Sequence, residues 1–180
     1  MLIEVDEMDG NELKRFRAEK DRVFAKDPHS PLTPGQRRSF RGLNYFDENP
    51  ALVISGHIDR NVDPEEVPMA TTGGEEQMYR RYGVVRFRVD DQPAEVFLYA
   101  SDDSDELFMP FRDATSGHET YGAGRYLELH AHGDDITMDF NYAYNPNCAY
   151  DAAWSCPLPP RENWLKVPIR AGEKVFEAGH

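Results

Sequence analysis

The chain has 180 residues, with 33 acidic side chains against 20 basic ones and a formal net charge of -13, a size that suits one domain with its own core. So acidic a surface repels phosphate backbones and anionic lipid, which excludes nucleic acid and membrane surfaces as expected partners. No apolar run approaches the ~20 residues of a membrane helix, and Met1 to Gly10 lacks the basic and apolar regions of a signal peptide, so the expected location is the cytoplasm.

The first predicted element is a helix from about Gly10 to Lys26. Asp9 and Glu12 offer a capping box, and Leu13, Phe16, Lys20, Val23 and Phe24 recur near helical spacing. Asp27-Pro28 ends it, and a loop with Pro31, Pro34 and Gly35 leads to Phe40 and a short extended piece, Asn44 to Phe46. From Ala51 the period changes to two: Leu52, Ile54 and Ile58, then Val85, Phe87 and Val89, then Val96, Leu98 and Ala100. These predict half-buried strands, the last two joined by a hairpin connection over Asp90 to Pro93, with the next turn at Ser101 to Glu106. From Tyr144 the chain is rich in Pro and without periodicity, which predicts an ordered coil wrapping the sheet.

The expected fold is therefore mainly β, α+β by content: an antiparallel sheet sandwich or partly open barrel with one N-terminal helix and a Pro-rich C-terminal coil. One domain spans 1–180, with helix and loop over 1–46, the β core over 47–142 and the wrapping segment over 143–180. Aromatics at 12% predict a core rich in Phe and Tyr. Cys148 and Cys156 do not form a CxxC pair and are expected to be reduced, partly buried thiols.

Unusual polar residues concentrate between 107 and 174. The strings FMPFRDATSGHETYGAGRYLELH, MDFNYAYNPNCAY and CPLPPRENWLKVPIRAGEK, together with Arg81 to Gly83 (RYG), resemble the family called DUF1684, a domain of unknown function. The resemblance implies no activity, cofactor or catalytic residue. Few Lys among the basic residues and the Asp pairs 90–91, 102–103 and 134–135 add the expectation of a halophilic archaeal member, since concentrated salt shortens the Debye length to ~3 Å or less and screens self-repulsion.

With Gly133-Asp134 as a two-residue turn, strands 125–132 and 135–142 are expected to pair. That register puts Leu127, Leu129, Ala131, Ile136, Met138 and Phe140 on one face, and Tyr126, Glu128, His130, His132, Thr137, Asp139 and Asn141 on the other. Glu128 then faces Asp139. Like charges directly opposite need a cation, a shared proton or bulk salt to relieve them. Glu128, His130 and Asp139 are accordingly the candidate metal ligands, and the alternative is a solvated outer face. No cofactor is required; a divalent metal is the one the residues allow. A zinc set adding His118, Cys148 and Cys156 lacks any recognised ligand spacing.

Arg125 is expected on the apolar side of its strand, where it must find a carboxylate or a bound anion. Arg112, Asp113 and Glu119 lie just upstream in a loop whose Gly117, Gly122 and Gly124 permit tight backbone and close ligand approach. Ser116 lacks a nucleophile elbow, and Cys148 has no evident activating base. Two readings stand. In the first, Arg112 and Arg125 hold a small anionic ligand with help from Asp113, Glu119, Tyr121, Asp139, Asn141, Tyr144, Asn145 and Glu162, and hydrolysis is the reaction class expected if there is catalysis. In the second, the same residues form a fold-stabilising network in a non-catalytic structural or protein-interaction domain. The crowding of polar side chains favours the first; substrate and oligomeric state stay open.

Overall fold

The computed structural model describes residues 2–102 and 104–177. Helix α1 spans Leu2–Lys26 and a short α2 spans Pro34–Ser39; strands β1 Val53–Asp59, β2 Glu66–Ala70, β3 Glu76–Val89, β4 Gln92–Ser101, β5 Ser104–Phe111, β6 Arg125–Leu129 and β7 Asp135–Asp139 follow. They form one antiparallel sheet in the order β6-β5-β4-β3-β1-β7, with β2 paired to the first half of β3. The sheet curls into a half-barrel, the partly open form of the expected architecture. Among the described residues no helix is long and apolar enough to cross a membrane.

Helix α1 begins well before Gly10 because nothing from Leu2 to Asp9 breaks a helix, and an interior glycine costs only ~1 kcal/mol. The expected cap at Asp9 is thus helix interior; its side chain lies outside the described residues. Helix α2 is a capping box: Thr33 Oγ1 accepts from Gln36 N at 3.2 Å, Thr33 N donates to Gln36 Oε1 at 2.8 Å, and Pro34 opens the first turn. Strands β2 and the first half of β3 carry mostly exposed residues, so alternation gave no sign of them. The β3–β4 turn is tighter than expected. Val89 pairs with Gln92 across Asp90 and Asp91, both at positive φ, as a two-residue hairpin turn of this hand requires.

The largest departure concerns β6 and β7. They are sequence neighbours, yet β6 pairs with β5 (Leu129 to Leu107, Glu128 to Phe108, Arg125 to Phe111) and β7 pairs with β1 (Asp139 to Val53, Ile136 to Gly56). Only the His132–Asp135 bridge of the expected hairpin forms. The 125–142 segment thus joins one edge of the sheet to the other. Alternation assigned the faces correctly, since Leu127, Leu129, Ile136, Met138 and Phe140 all enter the core. It could not assign partners, because a face survives any pairing that keeps the parity of the strand.

That core gathers Ile58, Val85, Val96, Leu98, Met109, Phe111, Phe140 and Ile169 inside the curl. Phe140 packs edge-to-face on Phe111 at 5.5 Å between centroids. A smaller cluster of Phe24, Leu32 and Tyr150, with Phe40, Leu43 and Phe176 against it, docks α1 on the C-terminal coil.

Candidate functional site

Arg125 lies on the core face of β6, beside its cross-strand partner Phe111, and is 0% exposed. Its Nη2 donates to Ile169 O at 2.8 Å and to Asp113 Oδ1 at 3.4 Å; its Nη1 donates to the carbonyls of Ala171 and Glu173. The guanidinium carbon is 5.2 Å from the Phe111 ring centroid, and Nε has no acceptor among the described residues. Burial draws the guanidinium pKa below its ordinary value, and Asp113 draws it back up. Asp113 is itself saturated: Oδ2 accepts from Thr115 N, from Thr115 Oγ1 at 2.7 Å and from Ile169 N at 2.7 Å. The pair therefore ties the 113–120 loop and the 169–173 coil to β6. Gly124 completes the joint. At φ 103°, a Cβ there would lie 2.5 Å from Phe111 O.

Arg112 turns the other way. One residue beyond the Phe111–Arg125 pair it leaves the core, and its guanidinium stacks 4.5 Å from the Trp164 ring. The two arginines expected to share an anion thus point to opposite sides of the sheet. Glu119 pairs with Arg170 at 3.0 Å. Tyr121 donates to Cys148 Sγ at 3.5 Å. Asp139 Oδ1 caps the following turn by accepting from Asn141 N and Nδ2, while Asn141 exchanges two bonds with the Asn49 backbone, at 2.8 and 3.0 Å. Asn145 Nδ2 donates to Lys174 O at 3.0 Å. Glu162 accepts from Arg81 Nε at 3.0 and 3.2 Å, from Arg81 Nη2 at 3.0 Å and from Tyr99 Oη. Each of these candidates is engaged by the chain's own backbone, side chains or rings.

Two members of this network escaped sequence reasoning. Glu173, 1% exposed, receives Lys20 Nζ from α1 and the Tyr150 hydroxyl, and its backbone carbonyl receives Arg125. Asn163, 0% exposed, sits where β4 and β5 part beyond the Tyr99–Phe108 pair. It accepts from Phe97 N at 2.8 Å and donates to Phe97 O and Pro110 O at 2.9 and 2.8 Å, standing in for the missing strand contact. Both lie in the quoted RENWLKVPIRAGEK string. Neither carries a local signal, since Asn163 stands between Glu162 and Trp164, and Glu173 between Gly172 and Lys174, in a coil without periodicity.

The metal set is not assembled as expected. Glu128 and Asp139 lie on opposite edges of the sheet, because their strands pair with β5 and β1 instead of each other. His130 contacts Glu106 at 3.5 Å. Among the described residues no group of three or more His, Cys, Asp or Glu side chains is close enough to hold a metal. Ser116 Oγ accepts from Asp113 N at 3.1 Å, a turn contact. Cys148 and Cys156 are free, buried thiols.

A groove of about 330 Å³ opens on the outer face of β3–β6, with Ser101 and Ser104 on one side and Tyr144 and Pro157 on the other. Tyr79, Phe108, Tyr126 and Tyr144 form its aromatic floor, with Glu106 and Glu128 between them. Tyr144 is placed there by main-chain pairing of its N and O with Tyr126, which covers the free edge of β6. Its hydroxyl donates to Glu128. Glu128 is exposed as a residue, yet desolvation by the groove walls raises its carboxyl pKa; the Tyr144 bond opposes that shift and Glu106 adds to it.

No curated protein matches the chain. A solution NMR structure of an uncharacterized protein of Haloarcula marismortui is 39% identical, with a TM-score of 0.72, covering 95% of this chain and 96% of that one. The model of a protein of unknown function, DUF1684, matches residues 38–174. These residues take in the whole sheet and every motif quoted for the resemblance, and the chain belongs to the DUF1684 family.

Proposed function

We propose that the protein is a non-catalytic binding module: the polar motif is its scaffold, and the groove on the outer sheet face is its working surface. The observation that supports this most is Arg125, fully buried, with both terminal nitrogens committed to Asp113 and three backbone carbonyls. Only its Nε–H is left without an acceptor among the described residues, and a single donor sealed in the core cannot grip an anion as the two-nitrogen fork would; its Asp113 partner is fully engaged. Arg112, facing away against Trp164, does not supply a second anchor to an anion at Arg125. The groove differs in kind. It is concave, aromatic and carries a few polar groups, the usual composition of a small-ligand site.

A small-fragment titration followed by amide chemical shifts tests this reading on the full chain. Shifts should cluster at Tyr79, Phe108, Tyr126, Glu128 and Tyr144 and leave Asp113, Arg125 and Asn141 silent. Saturable shifts centred on Arg112, Asp113 and Arg125 would restore the anion site and overturn the scaffold.

A further inference from the structure

We propose that the outer-face groove binds an organic ammonium ion, its head group held against the rings of Tyr79, Phe108, Tyr126 and Tyr144 and balanced by Glu128 and Glu106. This rests on the groove being the working surface and adds the chemical class of its occupant. The rings form a continuous chain: centroids are 5.3 Å apart from Tyr79 to Phe108, 4.8 Å from Phe108 to Tyr126 and 5.8 Å from Tyr126 to Tyr144. The last two pairs meet at 74° and 87°, so the row is not a flat stack and rings of different orientation border the groove. Their negative faces attract a cation, and quaternary ammonium groups are common guests of such aromatic surfaces.

The polar ends of these rings are already committed. Tyr79 Oη donates to Gln77 Oε1 at 3.1 Å, Tyr126 Oη to Pro157 O and Tyr144 Oη to Glu128. A ligand therefore meets ring faces and carboxylate, not free hydroxyls. The described lining includes no Lys or Arg, and a net charge of -13 draws cations toward the molecule. The chain already uses one of these rings in this way. Lys20 Nζ lies 4.9 Å from the Tyr144 centroid, retained by its ion pair to Glu173. An inorganic divalent ion suits the groove less well, since hard cations take six or more oxygen ligands and no three-residue donor group exists among the described residues. An anion meets Glu106 and Glu128 and is repelled.

The test uses choline and 3,3-dimethyl-1-butanol, its uncharged carbon isostere, titrated into the isotope-labelled full chain at constant ionic strength in potassium chloride. Choline should give saturable shifts at Tyr79, Phe108, Tyr126, Glu128 and Tyr144, with the isostere at least about tenfold weaker. Glu128→Gln and Tyr79→Leu should each weaken choline by roughly three- to tenfold, the remaining spectrum showing that both fold. Equal binding of the two probes overturns the cation and leaves the groove as a ligand site. No groove response to choline also overturns the cation, and shifts moved to the 113–125 loop overturn the groove with it.

Discussion

Arg125 carries its charge into the core, beside Leu127 and Leu129 on the inner face of β6. An arginine there must be answered by an anion, but the answer comes from Asp113, twelve residues away, and from carbonyls of the distant 169–173 coil. Glu128 is the opposite case, a carboxyl at the surface that the groove walls partly desolvate. Its folded pKa is raised above the ordinary 4.5, so the folded state binds this proton more tightly than the unfolded chain does. Stability from this group is then full at pH values below the ordinary glutamate range and is lost as pH rises through the folded value. Denaturant midpoints of the wild type and Glu128→Gln should therefore move apart between pH 4 and pH 7, with the wild type losing ground at the higher pH. Movement in the other sense would mean that the Tyr144 hydrogen bond outweighs desolvation.

At the scale of elements, the half-barrel holds where its strands separate because side chains take over from the ladder. Asn163 bonds both backbone groups of Phe97 and the Pro110 carbonyl, and Asn141 does the same for Asn49. Asn163→Ala leaves three buried backbone groups unanswered and should cost roughly 2–4 kcal/mol. Denaturant unfolding gives that loss, and faster hydrogen exchange at the Phe97 amide would localise it; unchanged exchange there would deny Asn163 this role. The same substitutions of side chain for strand explain what the sequence concealed. The later strands, their core faces and the wrapping coil were legible because periodicity and proline report local geometry. The β6–β5 and β7–β1 pairings were not, since any partner preserves the same alternation. Strand β2 hid because Glu66 to Ala70 carries only one buried side chain, Met69. Of the site, Arg125, Asp113 and Glu128 were visible as unusual polar residues, whereas the row of rings needed Tyr79 and Phe108 from strands whose pairing was unknown.

For the whole molecule, the C-terminal coil acts as a strap. It reaches β4 and β5 through Asn163, β3 through Glu162 and Arg81, β6 through Arg125, and α1 through Glu173 and Lys20. Gly172 lets it pass close to the 140–143 turn: at φ 81°, a Cβ there would lie 2.6 Å from Ala143 O. Family motifs that read as an anion-binding site thus hold the joints between strap and sheet, and Arg125 is the joint where Asp113, Ile169, Ala171 and Glu173 meet β6. Chemical denaturation of Arg125→Lys tests this most directly, because lysine keeps the charge but not the planar fork that serves Asp113 and three carbonyls at once. Scaffolding by the fork predicts a loss of roughly 2–4 kcal/mol. A variant as stable as the wild type would contradict it.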